Sequence, residues 1–482
     1  MIPILNSEQI KAIDIYTIEH EPIASVDLME RAVDRLLSHF LYLENKKIHV
    51  ICGTGNNGGD GLVLARKLWH SMVHCRVTIV DFGNKHSEDF SINLIRLQQK
   101  TEVNISVIHS PMKLKLEADE ILADAIFGNG LKKVLTGDYL TLIQMINQSK
   151  AEIYSIDVPS GLLSENETPY DAFVHANKTL VLEIPRPSLF NPMNQIDFEL
   201  VEIGLHKSFI LQQSTNQFVI SEEDVKIYPR NRFAFKNSFG HLLVVGGSKG
   251  MYGAPVISAK AAFKCGVGLV TCLVPEQGAQ SVHSHLMEAM VLDCGMYYLE
   301  GSLPEITKYN AITIGMGIGQ EKRTYEFLVE LLRTAKTPFV IDADALNLLA
   351  LHKGVKNIPL GSIITPHPGE FKRLVGEWGS ESERLEKLRD LAATTESIVI
   401  LKGTYTAIAV PDGRVLFNTT GSVSLATAGS GDLLSGMIGS FLAQGYTPLD
   451  AAMRGVYYHG KAGGHFQGVP VRAEEIINAI RF

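Results

Sequence analysis

The run LATAGSGDLLSG (425–436) joins a glycine-punctuated turn to an apolar stretch and sets one carboxylate, Asp432, at the junction. Gly429 and Gly431 admit backbone angles that a Cβ forbids, so the amides of Ala428, Gly429, Ser430 and Gly431 can point into one concavity. A helix starting near Asp432 would add its unpaired N–H groups and the positive end of its dipole to the same space, which suits a phosphate. Taken alone, Asp432 reads more readily as an ordinary N-cap that does no chemistry.

A second set of polar residues lies in the first half. GTGNNGGDG (53–61) follows a β-run at 47–52 and precedes residues of helical character from 62 to 69, while DAIFGNG (124–130) and DVPSG (157–161) close two further strand-like runs. Asn56, Asn57, Asp60, Asp124 and Asp157 offer oxygen ligands for a hard cation and hydrogen bonds for ribose or phosphate. Each loop alone could merely satisfy its own backbone. Three of them at strand ends converge on one crevice of a doubly wound sheet.

The elements that must position these residues are strands alternating with helices. Asn6 and Gln9 form a capping box, and Ser25 precedes Met29, Val33, Leu36 and Phe40 at helical steps, so two amphipathic helices open the chain. Further strands are expected near 76–80, 105–108, 121–126 and 153–156, with a helix near 139–146. In the second half GHLLVVGG (240–247), AITIGMGIG (311–319), PFVIDADALN (338–347), SIITPHPGE (362–370) and SIVILKGTYT (397–406) each run from an apolar strand into a polar or glycine turn, and a hairpin is expected at 411–413. Both halves therefore read as α/β with mostly parallel sheets loaded at their carboxyl edges. Singly, Lys402 is a solvated lysine, His367 a rigid turn residue between prolines and His459 a core histidine.

At 482 residues the chain exceeds one compact core. The polar junction at 212–217 separates an expected domain at 1–210 from one at 222–482. A net charge of −8 argues against a general binder of nucleic acid or anionic membrane. Five cysteines without a Cys-x-x-Cys suggest neither a disulfide framework nor a zinc site, and point to a reducing cytoplasm. No signal peptide is apparent, and no stretch reaches the ~18 uninterrupted apolar residues of a membrane span.

GNNGGDG, DAIFGNG and DVPSGL together resemble the NAD(P)H-hydrate epimerase family over about 6–206. The resemblance implies a Rossmann-like fold and interconversion of the C6 epimers of hydrated NADH or NADPH. It implies potassium held by Asn57, Asp124 and Ser160, and hydrate contacts from Asn56, Asn57, Gly58, Gly59 and Asp60, from Gly128, Asn129, Gly130, Leu131, Lys132, Lys133 and Val134, and from Asp157. The segment 176–186, ANKTLVLEIPR, departs from the usual pattern, with Asn177 for Asp, Val181 for Thr and Arg186 for Lys. GSKGMYGAP, DADALN, TPHPGE, KGTYT and LATAGSGDLLSG, in that order, resemble the ADP-dependent NAD(P)H-hydrate dehydratase family of the ribokinase-like superfamily over about 225–482, with Met316 where proline is usual. That resemblance implies nucleotide contacts from Lys402, Gly403, Thr404, Tyr405, Thr406 and the 428–431 turn, hydrate contacts from Ala254, Gly317 and His367, and Asp432 as base. The implied co-substrate is ADP or ATP with Mg2+, and the implied assembly a homo-oligomer without nucleic acid or membrane. A small-molecule kinase using the same aspartate, beside a nucleotide-docking first half without turnover, is the alternative.

Overall fold

A computed structural model describes residues 1–43, 46–83, 85–117, 119–165 and 167–482. The chain divides into two compact units, Pro3–Thr215 and Asn216–Phe482, the second taking in Met1–Ile2 as well.

In the first unit seven parallel strands form one sheet: β1 (Lys47–Cys52), β2 (Cys75–Val80), β3 (Asn104–Ile108), β4 (Glu120–Ala125), β5 (Glu152–Ile156), β6 (Lys178–Leu182) and β7 (Phe198–Val201). Their spatial order is 3-2-1-4-5-6-7, all pairs parallel. The order reverses between β1 and β4, so the connections leaving those two strands diverge and open a crevice at their carboxyl ends. Helices α1 (Ser7–His20), α2 (Ser25–Leu41) and α3 (Asn56–His70) cover the sheet with Ile13, Val33, Leu36, Phe40 and Leu62, all fully buried, and α4 (Glu88–Lys100) and α5 (Gly137–Gln148) follow in the same unit. The capping box at the head of α1 forms as expected: Asn6 Oδ1 accepts from Gln9 N at 2.8 Å and Gln9 Oε1 from Asn6 N at 3.1 Å.

The glycine-rich segment after β1 differs from expectation. It is not a turn leading to a helix at 62; α3 begins at Asn56, with Gly55 as N-cap. The glycines serve close approach. A Cβ on Gly53 would stand 2.0 Å from Ile126 O, and one on Gly61 would stand 2.7 Å from Cys52 Sγ and 2.8 Å from Ala125 Cβ. The helix start is thereby seated directly on the ends of β1 and β4.

The second unit holds β8 (Gln217–Val219), β9 (His241–Val245), β10 (Leu269–Val274), β11 (Met290–Asp293), β12 (Ala311–Ile314), β13 (Phe339–Ile341), β14 (Ile363–Ile364), β15 (Ile398–Leu401), β16 (Thr406–Ala409) and β17 (Val415–Asn418). These strands stand in the sheet order 8-17-16-15-14-13-12-9-10-11. Strands β9 to β15 pair in parallel, and β15, β16 and β17 form an antiparallel meander that turns, as expected, at 411–413 through Gly413 at φ 91°. Helix α9 (Ser430–Ala443) lies against the sheet, gripped by α6 (Gly253–Lys264) and α10 (Pro448–Gly464). A Cβ on Gly436 would meet Ser258 O at 2.0 Å, one on Gly439 would meet Thr313 Oγ1 at 2.1 Å, and one on Gly455 would meet Ile438 Cγ1 at 2.4 Å.

Strand β8 falls in the interval between the expected boundaries at 210 and 222, and it pairs in parallel with β17. A fragment beginning at 222 would lack β8 with its buried Val219 and leave the edge of β17 unpaired. Fragment 216–482 is therefore expected to unfold at a higher denaturant concentration than 222–482, as circular dichroism would measure. Coincident midpoints would mean that β8 adds nothing.

Candidate active sites

In the first unit two of the three residues implied as potassium ligands, Asn57 and Ser160, meet at the backbone of Phe127, and the third, Asp124, joins them through Ser160. Asn57, in the first turn of α3, donates Nδ2 to Phe127 O at 2.9 Å. Ser160 Oγ accepts from Phe127 N at 2.8 Å and donates to Asp124 Oδ1 at 2.5 Å. Asp124 further accepts from Ser155 Oγ at 2.7 Å and Ser160 N at 2.9 Å. Burial pushes the Asp124 carboxyl up while these hydrogen bonds pull it down. Asn57 Oδ1 is buried with no protein partner. An orphaned amide oxygen beside a buried carboxylate, a hydroxyl and a peptide carbonyl is a donor set that fits a hard monovalent cation.

Next to it stands a cluster of charge. Asp157, at φ 69°, accepts a fork of two 2.7 Å hydrogen bonds from Arg186 Nη2, and the Arg186 side chain is only 2% exposed. Arg186 Nε also holds Asn129 Oδ1 at 3.1 Å, and Ser164 Oγ donates to the same oxygen at 3.0 Å. Gly128 fits between Asn57 and Asp157: a Cβ there would lie 3.2 Å from Asn57 Cβ and 3.4 Å from Asp157 Oδ2. Asp60 is driven well above the usual carboxylate range by burial and then by the charges of Asp157 and Asp14. Asp14 is raised to about 7 by burial and Asp157, against the opposing charge of Arg186. Asn56, Gly130, Lys132, Lys133 and Val134 are exposed, Leu131 is half-buried, and Gly58 and Gly59 are buried in the helix start.

Sequence reasoning missed Asp14 and treated Arg186 only as a departure. The signal for Asp14 was its place four residues after Ile10 and three before Thr17, both buried, on the inner face of α1. A carboxylate on an apolar stripe must find either a partner or a proton.

In the second unit α9 starts at Ser430, with Gly429 at φ 86° as N-cap. Asp432 is thus the third helical residue and not the cap, which removes the capping alternative. A cavity of about 740 Å³ opens here, lined among others by His367, Lys402, Gly403, Thr404, Thr406, Ala428, Ser430 and Gly431. Tyr405 and Gly429 are not in its wall; Gly429 is required because a Cβ would stand 2.7 Å from Ile257 Cδ1. Ala254 and Gly317 touch each other, the glycine at φ 63° with a Cβ position 3.3 Å from Ala254 Cβ, but neither lines this cavity.

His367 caps its own helix α8 (Pro368–Val375), its Nδ1 accepting from Gly369 N at 3.0 Å, while Glu370 Oε2 accepts from His367 N at 2.8 Å. The turn role and the cavity role coexist in one side chain. His459 also lines the cavity, 3.1 Å from Ser430 Oγ, and burial lowers it to about 4, so it is neutral at pH 7. Asp342, at the end of β13, accepts from Lys402 Nζ at 2.8 Å and from Ser435 Oγ at 2.6 Å. Asp432 is pushed up to about 7, first by burial and then by the charge of Asp342, with Lys402 opposing and Asp344 adding. Among the described residues no group of three or more His, Cys, Asp or Glu is placed to hold a metal. The donors here do not form a dedicated Mg2+ cage.

Two family models match the chain: NAD(P)H-hydrate dehydratase over 242–480 and YjeF-related protein N-terminus over 25–188. A ribokinase-like superfamily protein from Enterococcus faecalis V583 superposes with a TM-score of 0.50 at 24% identity, covering 56% of this chain and 95% of its own, which bears on the fold of the second unit alone. The bifunctional NAD(P)H-hydrate repair enzyme Nnr of Salinibacter ruber is 31% identical over 95% of this chain and 91% of its own. That of Moorella thermoacetica is 34% identical over 92% of this chain and 88% of its own. With the two halves matched in one order across nearly the full length of such relatives, the chain belongs to the bifunctional NAD(P)H-hydrate repair enzyme family.

Proposed function

We propose that the protein restores hydrated NADH and NADPH, the first unit interconverting the C6 epimers and the second dehydrating the S form with ADP or ATP. The observation that carries the dehydration is Asp432, a carboxyl raised to about 7 beside helix-start residues that wall a nucleotide-sized cavity. Hydroxide is a poor leaving group, so the C6 hydroxyl is first phosphorylated. Asp432 takes its proton while the first-turn amides of α9 face the moving phosphoryl group. Phosphate then departs as the ring nitrogen donates its electron pair, C5 gives up a proton, and the 5,6 double bond returns. Mg2+ would enter with the nucleotide phosphates, in keeping with its usual reliance on substrate oxygens and water.

In the first unit Asn57, Asp124 and Ser160 would hold potassium, which would supply a fixed positive charge at the crevice. The raised carboxyls Asp14 and Asp60 suit proton transfer to and from the C6 oxygen as it leaves one face and returns to the other. A cytoplasmic setting belongs to the same proposal; all five cysteines are free and buried, and no helix among the described residues is long and apolar enough to cross a membrane. Self-association does too, supported by the exposed rings of Phe233 and Phe235.

Incubation with hydrated NADH and ADP tests the dehydration: returning absorbance of reduced nicotinamide supports it, whereas an accumulating phosphate ester identifies a kinase. Exchanging potassium for a bulky organic cation, or Asp124→Ala, is expected to slow epimerisation and spare dehydration of the S epimer. Equal loss of both activities would place the cation's role elsewhere.

A further inference from the structure

The motif DADALN supplies one residue that the reaction above leaves unused. Asp342 is the N-cap of α7 (Ala343–Leu351), and its side chain is 2% exposed. Its two oxygens face different partners: Oδ1 takes Lys402 Nζ at 2.8 Å, and Oδ2 takes Ser435 Oγ at 2.6 Å. Ser435 Oγ is also 3.1 Å from Gly431 O, in the first turn of α9. Gly431 stands directly over the pair, since a Cβ there would be 3.7 Å from Lys402 Nζ and 3.8 Å from Asp342 Oδ2. One buried carboxylate therefore joins the lysine of the cavity wall to the helix turn that presents Asp432.

We propose that Asp342 is a positioning residue for dehydration, pinning Lys402 against the nucleotide cavity while its negative charge faces Asp432. This rests on the dehydratase reading of the second unit. A lysine at a phosphate site has three rotatable donors and a long flexible stem, and a fixed acceptor on one side leaves the remaining donors aimed at the cavity. The same carboxylate raises the proton affinity of its neighbour, whereas Lys402 lowers it. The charged groups facing Asp432 are Asp342, Asp344 and Lys402, and Lys402 in turn faces Glu370 and His459. Asp344 accepts from Gly319 N at 3.0 Å.

The two neighbours make opposite predictions, which a merely structural role would not. In the intact chain, the acidic limb of kcat/KM for dehydration at saturating nucleotide should lie near pH 7, because Asp432 must be ionised to act as a base. Asp342→Asn keeps the size and the hydrogen-bonding oxygen but removes the charge, so the limb should move down by about one pH unit. Lys402→Met should move it up and raise the KM for ADP. Both shifts in these directions support the proposal; an unmoved limb in a folded variant overturns it. If Asp342→Asn fails to fold, the Lys402→Met limb decides alone. A parent enzyme that restores no reduced nicotinamide sinks the dehydratase reading, which is a different outcome from an active parent whose variants titrate alike.

Discussion

Asp432→Asn should lower dehydration by about 10²- to 10⁴-fold while making the folded protein more resistant to heat above pH 7. Asn keeps the size at the third residue of α9 but cannot accept a proton. The stability half of the expectation follows from linkage. The Asp432 carboxyl titrates near 3.8 when unfolded and near 7 when folded, so between those values the folded state holds a proton that the unfolded state has released. Stability therefore falls as pH rises through this window, and the full penalty stands above pH 7. Asn carries no such penalty, so the variant's gain in Tm should be absent near pH 4 and greatest above pH 7. Calorimetry across this range, beside the dehydration assay, checks both parts. Turnover by folded Asp432→Asn within about fivefold of the parent would remove Asp432 from the mechanism.

Arg186→Met should destabilise the first unit by about 3–5 kcal/mol and abolish epimerisation. The substitution leaves the Asp157 carboxylate without its fork, in a setting where both side chains are nearly closed to water. It also frees Asn129, whose amide oxygen Arg186 Nε holds within the loop implied to contact the hydrate. Arg186→Lys should fall between the two, since an ammonium supplies a charge but not the planar fork that reaches both Asp157 and Asn129. Denaturation of fragment 3–215 measures the first effect, and epimer exchange in the whole chain the second. A loss below about 1 kcal/mol for Arg186→Met would show that water reaches Asp157 and does the work of the guanidinium.

The sequence made most of this architecture legible because its strands are apolar runs ending in polar turns, a pattern local enough to read. Strands Lys178–Leu182, Phe198–Val201, Leu269–Val274 and Met290–Asp293 were not foreseen. They are four to six residues long, and only their neighbours in the sheet distinguish them from other short apolar runs. The helix starts at Asn56 and Ser430 were set too late for a related reason. Glycine reads locally as a turn, while the closeness of Gly61 to Cys52 and Ala125 that makes it tolerable in a helix is a tertiary fact. Asn57, Asp124 and Ser160 come from three separate motifs, and only the fold brings them together. Asp342 carries no local sign of its role, because its meaning depends on Lys402, 60 residues away.

The grip on α9 bears on how such an enzyme can change over time. Backbone and side-chain atoms fill the positions where Gly436, Gly439 and Gly455 would carry a Cβ, so the helix can neither slide nor roll without disturbing the sheet and its two flanking helices. Its interior amides should be among the last in the second unit to exchange with deuterium, through opening of the whole unit and not by local fraying. New substrates would then have to be accommodated by exposed loop residues such as Lys249, Gly250 and Met251, while the helix stays a fixed datum against which each variant is measured.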